Sequence, residues 1–98
     1  MADIQVRVEK QPAGWEAKVT VQEGNSASEH TVSLEEKYYQ KLSGGQYEPE
    51  QIIETSFEFL LAREPKESIL GRFDLPVISR YFREYEQTLP DMLAEKYG

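Results

Sequence analysis

The chain has 98 residues, with 18 acidic against 11 basic side chains and a net charge of −7. That length makes one small domain, and the acidic balance works against nonspecific binding to nucleic acid or anionic membranes. Without cysteine there is no disulfide framework and no thiolate site, so a reducing cytoplasm is the expected setting.

The opening MADIQVRVEK lacks the apolar run of a signal peptide. Ile4, Val6 and Val8 alternate with Asp3, Gln5, Arg7 and Glu9, the pattern of a half-buried strand. Gln11-Pro12-Ala13-Gly14 is a turn. Trp15, Ala17, Val19 and Val21 then alternate with Glu16, Lys18, Thr20 and Gln22, a second strand with Trp15 capping one end of the core. After the turn Glu23-Gly24-Asn25-Ser26, the residues His30, Val32 and Leu34 give a weaker third strand, opposed by Glu29, Thr31 and Ser33. Short turns predict an antiparallel meander with one wet face.

The period then becomes helical. Ser33 and Glu36 have the spacing of a capping box. Leu34, Tyr38 and Leu42 share a face, and Gly44-Gly45 ends this short helix. Pro49–Glu64 is the central helix: Ile52, Ile53, Ser56, Phe57, Phe59, Leu60 and Leu61 make a wide apolar stripe that calls for packing on two sides. Gln51, Glu54, Thr55, Glu58 and Ala62 form the polar strip opposite. Pro49 suits the first helical position and Pro65 ends the helix. KESIL reads as one or two helical turns closed by Gly71. Asp74 is placed to cap a helix whose Val77, Ile78, Tyr81, Phe82 and Tyr85 lie on one stripe, and Thr88-Leu89-Pro90-Asp91 suggests a further helix start. The expected fold is α+β: a single domain over 1–98, with a three-stranded antiparallel β-meander (1–33) followed by several helices packed on one face (34–98).

The chemistry offers few candidates. His30 is the only histidine and shares parity with Val32; it reads either as a general base or as a hydrogen-bonded residue at the core rim. Glu54 and Glu58 are one helical turn apart, able to serve as acid and base or simply as a solvated face. No HExxH, CxxC, GxGxxG or P-loop pattern is present. The chain is therefore expected to be no enzyme and to need no cofactor or metal.

Charge layout is more informative. Residues 34–64 carry a net charge of −4 and residues 65–98 only −1. Arg63, Lys66, Arg72, Arg80 and Arg83 cluster in sequence among Tyr81, Phe82 and Tyr85. Arginine beside tyrosine is interface composition, and the guanidinium fork suits an anionic partner. The alternative is that these cations pair with Glu64, Glu67, Asp74, Glu84 and Glu86, for instance Arg80 with Glu84 at i,i+4. The several tyrosines should lie at the core rim, where their hydroxyls reach water.

EEKYYQKLSGG, SFEFLLAREPKESIL and FDLPVISRYF together resemble a family of short, uncharacterised bacterial proteins that are stand-alone domains of unknown function. The resemblance covers the chain from about Ser33 onward. It implies a bacterial cytoplasmic protein and brings no activity, cofactor or catalytic residue. HTVSL, EEKYYQKLSGG and PEQIIETSFEFLLAR also resemble the strand–helix–helix order of ribbon-helix-helix DNA-binding proteins and antitoxins. That resemblance implies two chains pairing strands, with Glu29, Thr31 and Ser33 toward the major groove and Glu48-Pro49-Glu50 toward phosphate. Carboxylates at both places oppose phosphate binding.

The expected function is a small nonenzymatic protein-protein interaction module, alone or as a homodimer, with no membrane contact. Its candidate surface is Arg63, Lys66, Arg72, Arg80, Arg83, Tyr81 and Tyr85. A dimeric DNA-binding regulator is the second reading.

Overall fold

The computed structural model describes residues 2–98 and opens with strand β1, Asp3–Gln11. β1 pairs antiparallel with β2, Gly14–Glu23, from Asp3 opposite Gln22 to Gln11 opposite Gly14 without a bulge. β2 pairs antiparallel with β3, Ser26–Glu35. The alternation read from sequence sets the faces. Val19, Val21, His30, Val32 and Leu34 are buried beneath helices, while Gln5, Arg7, Lys18 and Glu29 stand on an open polar face. Gly14 lets the strands close: a Cβ there would stand 2.1 Å from the Leu34 carbonyl oxygen. Trp15 is half-buried at this end, edge-on to Tyr39 with ring centroids 4.9 Å apart.

The expected cap at Ser33 does not form. The β2–β3 ladder continues to Glu35, which keeps Ser33 in the strand with its hydroxyl donating to Asp74. Helix α1, Glu36–Ser43, starts instead with the Glu36 N–H donating to the Ala13 carbonyl at 2.9 Å. Gly44 ends it at φ 62, in the left-handed region glycine tolerates. The reciprocal capping box belongs to α2, Pro49–Leu61, between Glu48 and Gln51, with Pro49 in the first turn. α2 is the core helix its wide stripe predicts; Ile52, Ile53, Phe57 and Phe59 are wholly buried between the sheet and the last helix. Thr55, expected on the polar strip, is buried as well.

Beyond Pro65 the chain departs further from the expected order. KESIL gives a single 3-10 turn, Lys66–Ser68. Arg72–Asp74 then forms β4, parallel to β3, with Val32 opposite Phe73. The meander is thus three strands of a four-stranded sheet ordered β1-β2-β3-β4. A three-residue strand is too short to show a period, and Asp74 lies in it rather than capping a helix. The expected stripe from Val77 to Tyr85 is broken. α3 covers Val77–Tyr81, Phe82 turns extended, and α4 runs Tyr85–Tyr97. The break sets Phe82 and Tyr85 both edge-on to the Phe59 ring, at 5.8 and 5.2 Å. No new helix starts at Thr88; α4 passes through Pro90, held by buried Leu89 and Leu93 on either side. Packing here outweighs the hydrogen bond that proline removes.

Candidate functional site

An open cleft of about 170 Å³ lies where the end of α2, the 3-10 turn, β4 and α3 meet. Buried Leu60, Ile69, Phe73 and Ile78 form its floor. Its rim carries Leu70 and Tyr81, 47% and 69% exposed, the large apolar residues that stand out most into solvent among those described. Glu64 and Ser68 add polar groups to the lining. A cavity of roughly 150 Å³ holds a benzene ring, so the cleft has room for one large apolar side chain.

The seven residues expected to form one surface separate. Arg80, Tyr81 and Arg83 stay together: Tyr81 and Phe82 line the cleft, and the exposed Arg80 and Arg83 flank them in the chain. Neither arginine is in an ion pair among the described residues. The expected Arg80–Glu84 pair does not form, because the break at Phe82 removes the i,i+4 relation. Glu84 accepts instead from Arg63 Nε at 3.2 Å. The Arg63 guanidinium also lies 3.6 Å over the Phe59 ring. Arg72 points to the polar sheet face, 3.7 Å from Glu16.

Lys66 and Tyr85 leave the candidate surface. Lys66 is 3% exposed and donates to Ser26 Oγ at 2.6 Å and to Glu67, tying the 3-10 turn to the start of β3. Tyr85 is 0% exposed. Its hydroxyl meets Ser56 Oγ at 2.7 Å inside the core, so it needs no water. The signal was Ser56 itself, a hydroxyl within an apolar helix stripe. Leu70 and Ile69 were missed because KESIL is too short to show which side faces out.

Glu64, in the cleft wall, is in no ion pair among the described residues, whereas three acids of neighbouring elements are engaged. The Glu84 carboxyl is held below its ordinary range by its own backbone N–H and then by Arg63. Glu86 is lowered by the Tyr38 hydroxyl at 2.7 Å and by Lys41 at 3.3 Å. Glu67 is lowered by Lys66.

The candidate catalytic groups are also occupied. His30 is buried, with Nδ1 2.8 Å from the Leu70 carbonyl and Nε2 2.8 Å from Ser28 Oγ. A carbonyl only accepts, so Nδ1 carries the proton and Ser28 donates to Nε2. Glu54 and Glu58 share the Lys96 ammonium, 2.9 Å from Glu54. Among the described residues no three His, Asp or Glu converge as a metal site, and no helix is long and apolar enough to cross a membrane. β3 is bonded on both edges, by β2 and by β4. The chain matches no family model, no curated protein and no solved structure.

Proposed function

We propose that the protein is a nonenzymatic interaction module of the bacterial cytoplasm that docks an acidic amphipathic segment of another protein in the cleft beside α3. The observation that carries this reading is the pairing of a concave apolar surface, rimmed by exposed Leu70 and Tyr81, with two arginines that have no carboxylate of their own. Tyrosine and arginine around an apolar pocket are the composition of interface hot spots. A bound segment places one large apolar side chain on Phe73 and Ile78 and directs its carboxylates to Arg80 and Arg83. Glu64 in the wall accepts from the segment's backbone N–H groups. An enzyme is disfavoured because both His30 nitrogens are engaged, and a ribbon-helix-helix regulator because β4 occupies β3 at Thr31–Ser33, inside the segment that would pair with a second chain.

Panning a phage-displayed random peptide library against the protein tests the reading. The expected winners carry a large apolar residue flanked by Asp or Glu, and lose binding to Arg80→Glu/Arg83→Glu, whose urea midpoint should stay unchanged. Failure to enrich any such motif, or winners that bind the double variant equally well, would refute it.

A further inference from the structure

β1 forms one edge of the sheet, and none of its backbone groups bonds to any element other than β2 among the described residues. Soluble proteins normally blunt such an edge with a short strand, a bulge, a proline or charged side chains, inward-pointing ones above all. β1 is nine residues long, its register is unbroken and it contains no proline; its one charge of core-side parity is Lys10 near its end, opposite Trp15, while Ile4, Val6 and Val8 are apolar. Those three side chains are only half-buried, although they face the core side.

The charges on its outer face have a second peculiarity. Arg7 stands directly opposite Lys18 on β2, and like charges at that position repel. Arg7 has no carboxylate partner among the described residues, and neither has Asp3 a cation.

We infer that β1 is the seam of a homodimer, pairing antiparallel with β1 of a second copy about a two-fold axis at Gln5. In that register Asp3 faces Arg7 of the second copy, twice over, so both unpaired charges are satisfied. Ile4 faces Val6 of the second copy on the core side, and Gln5 faces its own symmetry mate. The other registers with the same face alignment are worse. Centring on Val6 sets Asp3 against Glu9, centring on Arg7 sets Arg7 against itself, and centring on Val8 pairs Arg7 with Glu9 but brings Lys10 over Val6. Self-complementarity of charge and apolar parity together select one register. The two sheets join into one. The α3 clefts lie by β4, at the opposite edge of each sheet, so the dimer displays them at its two far ends, a bivalent arrangement for a partner that carries repeated segments.

Sedimentation equilibrium on the full chain, with charge variants and single cysteines, tests this. The chain has no native cysteine, so an introduced one reports alone. The expected results are a concentration-dependent dimer, about tenfold weaker in Arg7→Glu and restored in Asp3→Lys/Arg7→Glu. Under mild oxidation Gln5→Cys should cross-link to itself, and Arg7→Cys should not. A chain that stays monomeric to millimolar concentration overturns the proposal. So does a dimer whose affinity ignores Arg7→Glu, a double variant that fails to recover, or cross-linking at position 7 in place of position 5.

Discussion

The hydroxyl pair at the centre of the core makes an unequal prediction for its two members. Ser56 Oγ donates to the Ile52 carbonyl at 2.7 Å and lies 2.7 Å from the Tyr85 hydroxyl. Ser56 has one proton and it is already given, so Tyr85 donates and Ser56 accepts. Tyr85→Phe removes one buried hydrogen bond and leaves only a serine lone pair unmet, a loss of about 1 kcal/mol. Ser56→Ala strands the Tyr85 O–H at 0% exposure. The stranded donor costs ~2–3 kcal/mol, offset by ~0.5 kcal/mol from alanine's helix preference. The double variant strands nothing and should be less destabilised than Ser56→Ala alone, which requires a coupling of more than ~1 kcal/mol. Urea unfolding followed by circular dichroism measures all four chains, and each kcal/mol corresponds to roughly 4–8 °C in Tm for a domain of this size. Equal losses in the two single variants, or strict additivity in the double, would refute the assigned direction of the bond.

Two further outcomes follow from buried and paired groups. Thr55 Oγ1 is buried without any hydrogen-bond partner among the described residues, so Thr55→Val, which keeps the shape and removes the hydroxyl, should stabilise the fold by ~1 kcal/mol in the same assay. Stability should also fall at both ends of the pH range. Glu86 and Glu84 are lowered in the folded chain, so their contribution is present above the unfolded glutamate value of about 4.3 and is lost as pH falls through the folded values. Burial pushes the Tyr85 hydroxyl up; burial pulls the Lys96 ammonium down, but its bonds to Glu58 and Glu54 outweigh that and raise it. Above pH about 10 the unfolded chain therefore loses protons first, and stability declines as pH rises. Urea midpoints across pH check this; a midpoint that climbs above pH 10 contradicts it, and Tyr85→Phe should flatten part of the alkaline decline.

What could be read in the sequence depended on how many residues carried each signal. The first three strands were legible because four or more alternating residues specify each face, and α2 because a wide apolar stripe runs between Pro49 and Pro65. β4 was illegible: its three residues carry no period, and its strand character comes from β3, forty residues earlier in the chain. Ser33–Glu36 satisfied a local capping rule but lost to the ladder with β2, while the same rule held at Glu48–Gln51, where no strand competes. The break at Phe82 follows from two rings sharing Phe59, a tertiary fact absent from the helical period. Of the candidate site residues, Tyr81 lines the cleft, and the exposed Arg80 and Arg83 lie on either side of the Tyr81-Phe82 pair in the chain. Leu70 and the cleft itself were not legible, because they come from elements meeting far apart in the chain.

The parallel closure of β4 on β3 also sets an order of events in time. The two hairpins joining β1, β2 and β3 need only short loops, whereas the β3–β4 ladder waits on the ordering of α1, α2 and the 3-10 turn. β4 is held by a three-residue ladder, flanked by bonds from Thr31 N–H to the Gly71 carbonyl and from Leu75 N–H to the Ser33 carbonyl. It should therefore be the last part of the sheet to assemble and the first to detach in a local opening, which hydrogen exchange at the Phe73 and Leu75 amides would read. Phe73, in its middle, forms part of the cleft floor. A chain whose β4 has lifted keeps its meander and loses the floor of its cleft, so an intact cleft marks completed folding.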